Sequence, residues 1–151
     1  MEKIDELDKK ILRIITLNAR MPFKNVADEC GVSRAAVHQR VQKMFDQGVI
    51  TGSGYQVSPR ELGYNLCVFV GIMLEKGNMY QSVCAELEKI PEVVDAYYTL
   101  GAWSMMVIVY AKNDAHLMHI LNGRIQSIPG VTNTETLTAL DHKFSRQLPI
   151  E

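Results

Sequence analysis

Little in this chain invites covalent or redox chemistry. Its three cysteines, Cys30, Cys67 and Cys84, are an odd number without Cys-x-x-Cys spacing. Neither a disulfide framework nor a thiolate metal site is therefore expected, and buried free thiols in a reducing cytoplasm are the reading. Gly-rich phosphate loops and nucleophile motifs are absent. The longest apolar run, Leu66 to Leu74, is far shorter than the roughly 20 residues that a membrane helix needs. At the N-terminus Glu2, Lys3, Asp5 and Glu6 interrupt any apolar core of a signal peptide. Of the four histidines, His38, His116, His119 and His142, the middle two share a helix face at i, i+3. No carboxylate or cysteine close in sequence completes a metal set, so no metal, no cofactor and no membrane partner is expected.

What remains is the composition of a globular protein: 47% hydrophobic and 22% charged in 151 residues, enough for one ordinary domain or two small ones. A net charge of −1 hides an asymmetry. Through Arg60 there are ten Lys and Arg against seven Asp and Glu; beyond it there are six against ten. The basic first third suits a polyanion partner and the acidic remainder does not.

Three short amphipathic segments fill the stretch from Asp5 to Gly48. Asp5 caps the first, Glu6 and Asp8 sit in its first turn, and Leu7, Ile11, Ile14 and Ile15 make its apolar stripe. Pro22 opens the second, Val26 and Ala27 face inward, and Gly31 closes it with a left-handed turn. Ser33 caps the third, whose core stripe is Val37, Val41 and Met44. At about 100° per residue Ala35, Ala36, Gln39, Gln42 and Lys43 then face outward. His38 and Arg40 flank that face and Arg34 sits at its tip. Three helices, a Gly-x-Ser turn and a basic outward face are the pattern of a helix-turn-helix that reads double-stranded DNA in the major groove. The expected DNA contacts are Ser33, Arg34, Ala35, Ala36, His38, Gln39, Arg40 and Lys43. Small alanines permit close approach, Gln bonds base edges, Arg forks onto guanine or phosphate, and Lys supplies charge. After the helix, Val49 to Val57 around Gly52-Ser53-Gly54 reads as a small hairpin that caps the helical core, and Ser58-Pro59-Arg60-Glu61 as a hinge.

The second part holds a faint duplication. Ile90-Pro91-Glu92-Val93 and Ile128-Pro129-Gly130-Val131 each follow a helical stretch and precede a strand. The resulting order is strand 64–75, helix 79–89, strand 93–100, strand 103–111, helix 114–127 and strand 131–140. This βαββαβ pattern predicts a ferredoxin-like sandwich, with the first and third strands central because both are apolar on two faces. The fold class is thus α+β, divided as 1–50 for DNA binding, 51–63 for hairpin and linker, and 64–151 for the sandwich. Helices cover one sheet face only, so a second copy is expected on the other, giving a two-fold homodimer.

In order and spacing, Ile4 to Leu12, Gly31-Val32-Ser33, Val37 to Val41, Gly48-Val49-Ile50, Leu62-Gly63 and Ile128 to Val131 with Thr134 and Thr136 resemble the Lrp/AsnC, or feast/famine, transcriptional regulators of bacteria and archaea. The resemblance implies a DNA-binding head joined to a sensing domain, assembly of dimers into octamers or other higher oligomers, and an amino-acid or other small-molecule effector bound between sensing domains. It places that effector at the turn between the second and third strands, here Tyr98, Thr99, Gly101, Ala102, Trp103 and Ser104, and at the start of the fourth, here Asn133, Thr134 and Thr136. Where the family usually carries Gly-Asp-aromatic-Asp, this turn reads Gly101-Ala102-Trp103-Ser104, without either carboxylate. The alternative on the same architecture is a sirohaem-type tetrapyrrole decarboxylase or a ligand-binding protein. The acidic character of the second part disfavours a propionate-bearing substrate. A regulator without enzymatic activity is the expectation.

Overall fold

The computed structural model describes residues 4–151 and divides them into two compact units, residues up to Gln56 together with Phe144–Glu151, and Val57–Lys143. The first is helical. Its helices are α1 (Glu6–Ile15), α2 (Phe23–Cys30) and α3 (Arg34–Asp46). Asp5 caps α1 in a reciprocal box: its carboxylate accepts from the Asp8 N–H, and the Asp8 carboxylate accepts from the Asp5 N–H. Pro22 stands just before α2 and donates no side-chain cap, while Gly31, at φ 68°, ends that helix in the left-handed region where a Cβ would be strained. The core joins Ile11 and Leu12 of α1, Val26 and Ala27 of α2, and Val37, Val41 and Met44 of α3. Leu7, Ile14 and Ile15, expected in the α1 stripe, are half-buried at its margin, and Leu12 takes the deeper place.

Two features of this unit depart from expectation. Residues 51–57 form no hairpin: they are exposed and make no strand pairing within the chain. The Gly-Ser-Gly segment makes no tight turn, and Tyr55 is instead held by Arg20, which donates to its hydroxyl and lies 4.7 Å over its ring. Core capping falls to Val49 and Ile50, whose N–H groups both reach the Met44 carbonyl. The chain's last residues, assigned from sequence to the second domain, group with the first. Ile150 packs against the helical core and its carbonyl accepts from Arg13 Nε at 2.9 Å.

The second unit has one antiparallel sheet of β1 (Leu66–Leu74), β2 (Val93–Tyr98), β3 (Met105–Ala111) and β4 (Val131–Ala139), in the order β2-β3-β1-β4. The apolar strands β1 and β3 are central, as their two-faced hydrophobicity requires. Helix α4 (Tyr80–Glu88) and a second helix cover one face, burying Val68, Val70, Ile72, Val107 and Val109 with Val83, Leu87, Ile120 and Ile125. The duplication has a structural counterpart: Val93 N–H reaches the Ile90 carbonyl at 3.0 Å and Val131 N–H reaches Ile128 at 3.1 Å, the same turn twice.

The second helix is not α throughout. It begins as α5 (Asp114–Met118) and widens to a π-helix at His119–Ile125, with the Gln126 N–H bonded five residues back to Leu121. The wider turn carries residues five apart toward one face, and Ile120 and Ile125 are both buried. On the uncovered sheet face, Phe69 of β1 stands in register with Ile108 of β3 and Leu137 of β4. Phe69 and Leu137 are exposed.

Candidate DNA-reading helix and effector site

The sequence from Ser33 builds the reading helix from its cap outward. The Ser33 hydroxyl accepts from the Ala36 N–H at 3.1 Å, so this residue is committed to starting the helix as well as standing beside its tip. With Val37, Val41 and Met44 buried, the opposite side is turned to solvent. Arg34, Ala35, His38, Gln39 and Lys43 are all exposed there, and Ala36 is half-buried. Arg34, Ala35, His38 and Gln39 line a shallow open depression of about 380 Å3. His38 meets Phe23 of α2 edge-on, with centroids 5.7 Å apart and planes at 88°. Gln42 is drawn away from the face, donating to Asp46 at 2.9 Å.

Arg40 requires a correction. It turns toward α1 and not toward a groove, donating to the Asp5 carboxylate and, at 3.2 Å, to that of Asp8. Asp8 is only 1% exposed, and a carboxylate withdrawn from water needs such a partner. The hydrogen bond from Arg40, then that from the Asp8 N–H, holds the Asp5 carboxyl at about 2; the bonds that Arg40 makes to the Asp5 and Asp8 carboxylates raise it above its ordinary value. Arg40 therefore clamps the reading helix to α1.

The expected effector residues lie at one end of the sheet but on both sides of β1. On the β3 side, Ser104 N–H donates to Ile72 O at 2.9 Å and its hydroxyl accepts from Leu74 N–H at 3.2 Å. Thr99 closes the turn by donating from its hydroxyl to Trp103 O at 2.6 Å, and Gly101 and Ala102 are exposed at the tip. The Trp103 ring covers Gly71 so closely that a Cβ there would lie 2.7 Å from ring carbons. Tyr98 leans the other way and stacks on Tyr80 of α4, centroids 4.2 Å apart.

On the β4 side, Asn133 bonds back to the Thr134 N–H, and the Thr134 hydroxyl accepts from Gln126 at 2.8 Å. Gln126, Val131, Thr132, Asn133 and Thr134 line a cleft of about 300 Å3, which bears no charged side chain. Thr136, opposite Val70, lies outside it. Within one chain the two groups do not close around a common cavity. Gln126 escaped the sequence reading; its signal is its place at the helix end, just before the Ile128-Pro129 turn into β4.

The other polar constellation is structural. His116 Nδ1 accepts from the Lys112 N–H at 3.1 Å, which leaves the proton on Nε2, 3.2 Å from Glu92 Oε1. A carboxylate thus does reach His116 in space, but His119 takes no part. Among the described residues no three His, Cys, Asp or Glu side chains gather as a metal set.

Comparison with known proteins matches two family models to the chain. Residues 4–44 match the AsnC-type helix-turn-helix domain and residues 67–148 the Lrp/AsnC ligand binding domain. The regulatory protein AsnC of Haemophilus influenzae is 40% identical over 148 residues, which cover 98% of this chain and 99% of that protein. The HTH-type transcriptional regulator FL11 of Pyrococcus horikoshii is 34% identical over 98% of this chain and 97% of its own. The solved structure of Escherichia coli AsnC, 40% identical, aligns with a TM-score of 0.87 over 96% of this chain and 97% of that one. A feast or famine regulatory protein from M. tuberculosis, solved in complex with L-methionine, aligns at 0.89 with 26% identity over 97% and 99%. A capped reading helix on one unit and a βαββαβ sheet on the other define a DNA-binding transcriptional regulator with a separate ligand-binding domain. The chain belongs to the Lrp/AsnC family. The relatives matched over nearly the whole chain are regulators, and the family is one of transcriptional regulators, not of decarboxylases.

Proposed function

We propose that this regulator reads DNA through Arg34, Ala35, His38, Gln39 and Lys43, and that its sheet faces pair two copies that assemble further. The observation that carries the DNA reading is the Ser33-capped helix α3, buried along one side and exposed, basic and free of carboxylates along those five positions. Arg40 supports the helix from behind, and Ser33 and Ala36 fix and narrow its tip. No helix among the described residues is long and apolar enough to cross a membrane. The cytoplasm is the natural compartment for such a protein.

The effector reading rests on the neutral cleft beside β4 and on the Thr99–Ser104 turn, which a second copy is needed to close. The L-methionine complex of the mycobacterial relative supports an amino acid as the ligand class. With Ser104 where the family carries a carboxylate, an α-amino group must find other acceptors, and Asn133 and Thr134 are those nearest the cleft.

The test is binding of the purified protein to its own upstream DNA against a scrambled duplex at two salt concentrations. Preference for the native fragment that survives the higher salt supports the reading; weak binding, equal on both and lost with salt, refutes it. Lys43→Ala weakens binding to all sequences and flattens the salt dependence, whereas Gln39→Ala changes sequence preference.

A further inference from the structure

We infer that α3 carries a receptor for the 5-methyl group of thymine, with Ala35 as its floor. The inference rests on α3 as the groove-facing helix and adds the base chemistry that one part of it reads. Positions 34, 35, 38 and 39 make one parallelogram on the helix surface, because residues four apart stack along the axis. Three corners carry long or broad side chains, Arg34, His38 and Gln39. The fourth, Ala35, ends at a single methyl and is exposed. The result is the depression of about 380 Å3 bounded by these four residues, with carbon at its floor and donors at its rim.

That arrangement matches one base better than the rest. In the major groove, thymine presents a methyl carbon beside the O4 acceptor, while cytosine carries only a hydrogen at C5 beside its N4 donor and the purines present N7 with O6 or N6. An alanine methyl makes apolar contact with the thymine methyl, and Arg34 or Gln39 on the rim supplies donors for O4 or for a neighbouring purine. The wall formed by His38 is fixed before DNA arrives, since its ring rests edge-on against Phe23. No acidic side chain stands among the four, so the carboxylate that best accepts from the amino group of cytosine is missing there.

The test uses the full chain and duplexes selected by it from a random pool. Each thymine of a selected duplex is replaced in turn by deoxyuridine, which removes the methyl group and keeps O4 and the pairing. One thymine per half-site is expected to be methyl-sensitive, its replacement weakening binding about fourfold, the factor that one buried methyl gives. With Ala35→Ser, which puts a hydroxyl on the floor, the ratio between thymine and deoxyuridine duplexes is expected to fall toward one at that same position. If no thymine is methyl-sensitive in the parent protein, the assignment is overturned while sequence-specific binding stands. An unchanged ratio in the Ala35 variant also overturns it, because the methyl is then read elsewhere. Failure to select any sequence sinks the DNA-reading assignment itself, and this one with it.

Discussion

Asp8 and Arg40 show how one side chain's partner decides its role. An apolar helix interface has no water to stabilise Asp8, so the Asp5 N–H and the Arg40 guanidinium supply its hydrogen bonds. Arg40→Ala is expected to lower the stability of the N-terminal unit by about 1–3 kcal/mol, the cost of a buried acceptor losing a partner, read as a fall in its thermal midpoint. Asp5 adds a pH dependence whose sign is fixed. Its folded value of about 2 lies below the ordinary 3.8, so the folded state holds fewer protons in that window. The contribution is full above pH 4 and is lost as pH falls toward 2, which an acid titration of the helical signal checks; in Arg40→Ala that loss shrinks.

At Gly71 the constraint is space. A Cβ would strike the Trp103 ring at 2.7 Å, so Gly71→Ala is expected to displace the indole and cost about 1–3 kcal/mol. Trp103 is the chain's single tryptophan, so its fluorescence reports the displacement directly. From sequence Arg40 sits correctly on the flank of α3. The carboxylates that claim it come from α1, more than thirty residues earlier, and helical periodicity carries no information about them. Ser33, Val37, Val41 and Met44 were legible because cap and stripe are local properties.

Elements show the same division between local and distant causes. Helix α3 was readable from its cap and period, and the Ile-Pro turns announced both helix-to-strand exits. The hairpin at 51–57 was not there, because β-branched and aromatic residues on either side of Gly-Ser-Gly describe a strand tendency and not a partner. The π-helix at 119–125 was hidden for a related reason: α and π turns share the same apolar residues and differ only in which of them face the core. The tail is the clearest case. Nothing in Phe144 to Glu151 names its destination, yet Ile150 completes the helical core and Arg13 holds its carbonyl. Deleting Leu148–Glu151 is therefore expected to lower the melting midpoint of the helical unit and leave that of the sheet unit in place, two transitions that hydrogen exchange separates. A shift confined to the sheet unit would contradict this packing.

For the molecule as a whole, the open face of the sheet is the surface proposed to pair two copies. Phe69, Ile108 and Leu137 stand side by side across three strands on the side without helices. Leu137→Lys, on an exposed position, is expected to leave the chain folded and convert it to a monomer by light scattering at micromolar concentration; unchanged mass would place the contact elsewhere. The proposed effector site belongs to this scale too. Its residues were named through the resemblance, and the cleft with Gln126 appears only once the helix end and β4 are brought together.

The strand order carries one more consequence, for how such a domain comes into being. The two βαβ halves contribute β1 with β2 and β3 with β4, yet the pairings are β1 to β3, β1 to β4 and β2 to β3. Every ladder runs between halves and none within one. Neither half owns a sheet, so each is an unpaired ribbon until the other arrives, and the turn at 99–104 is the tether that makes their meeting unimolecular. Cut there, the domain becomes a two-body problem whose folding is its own association.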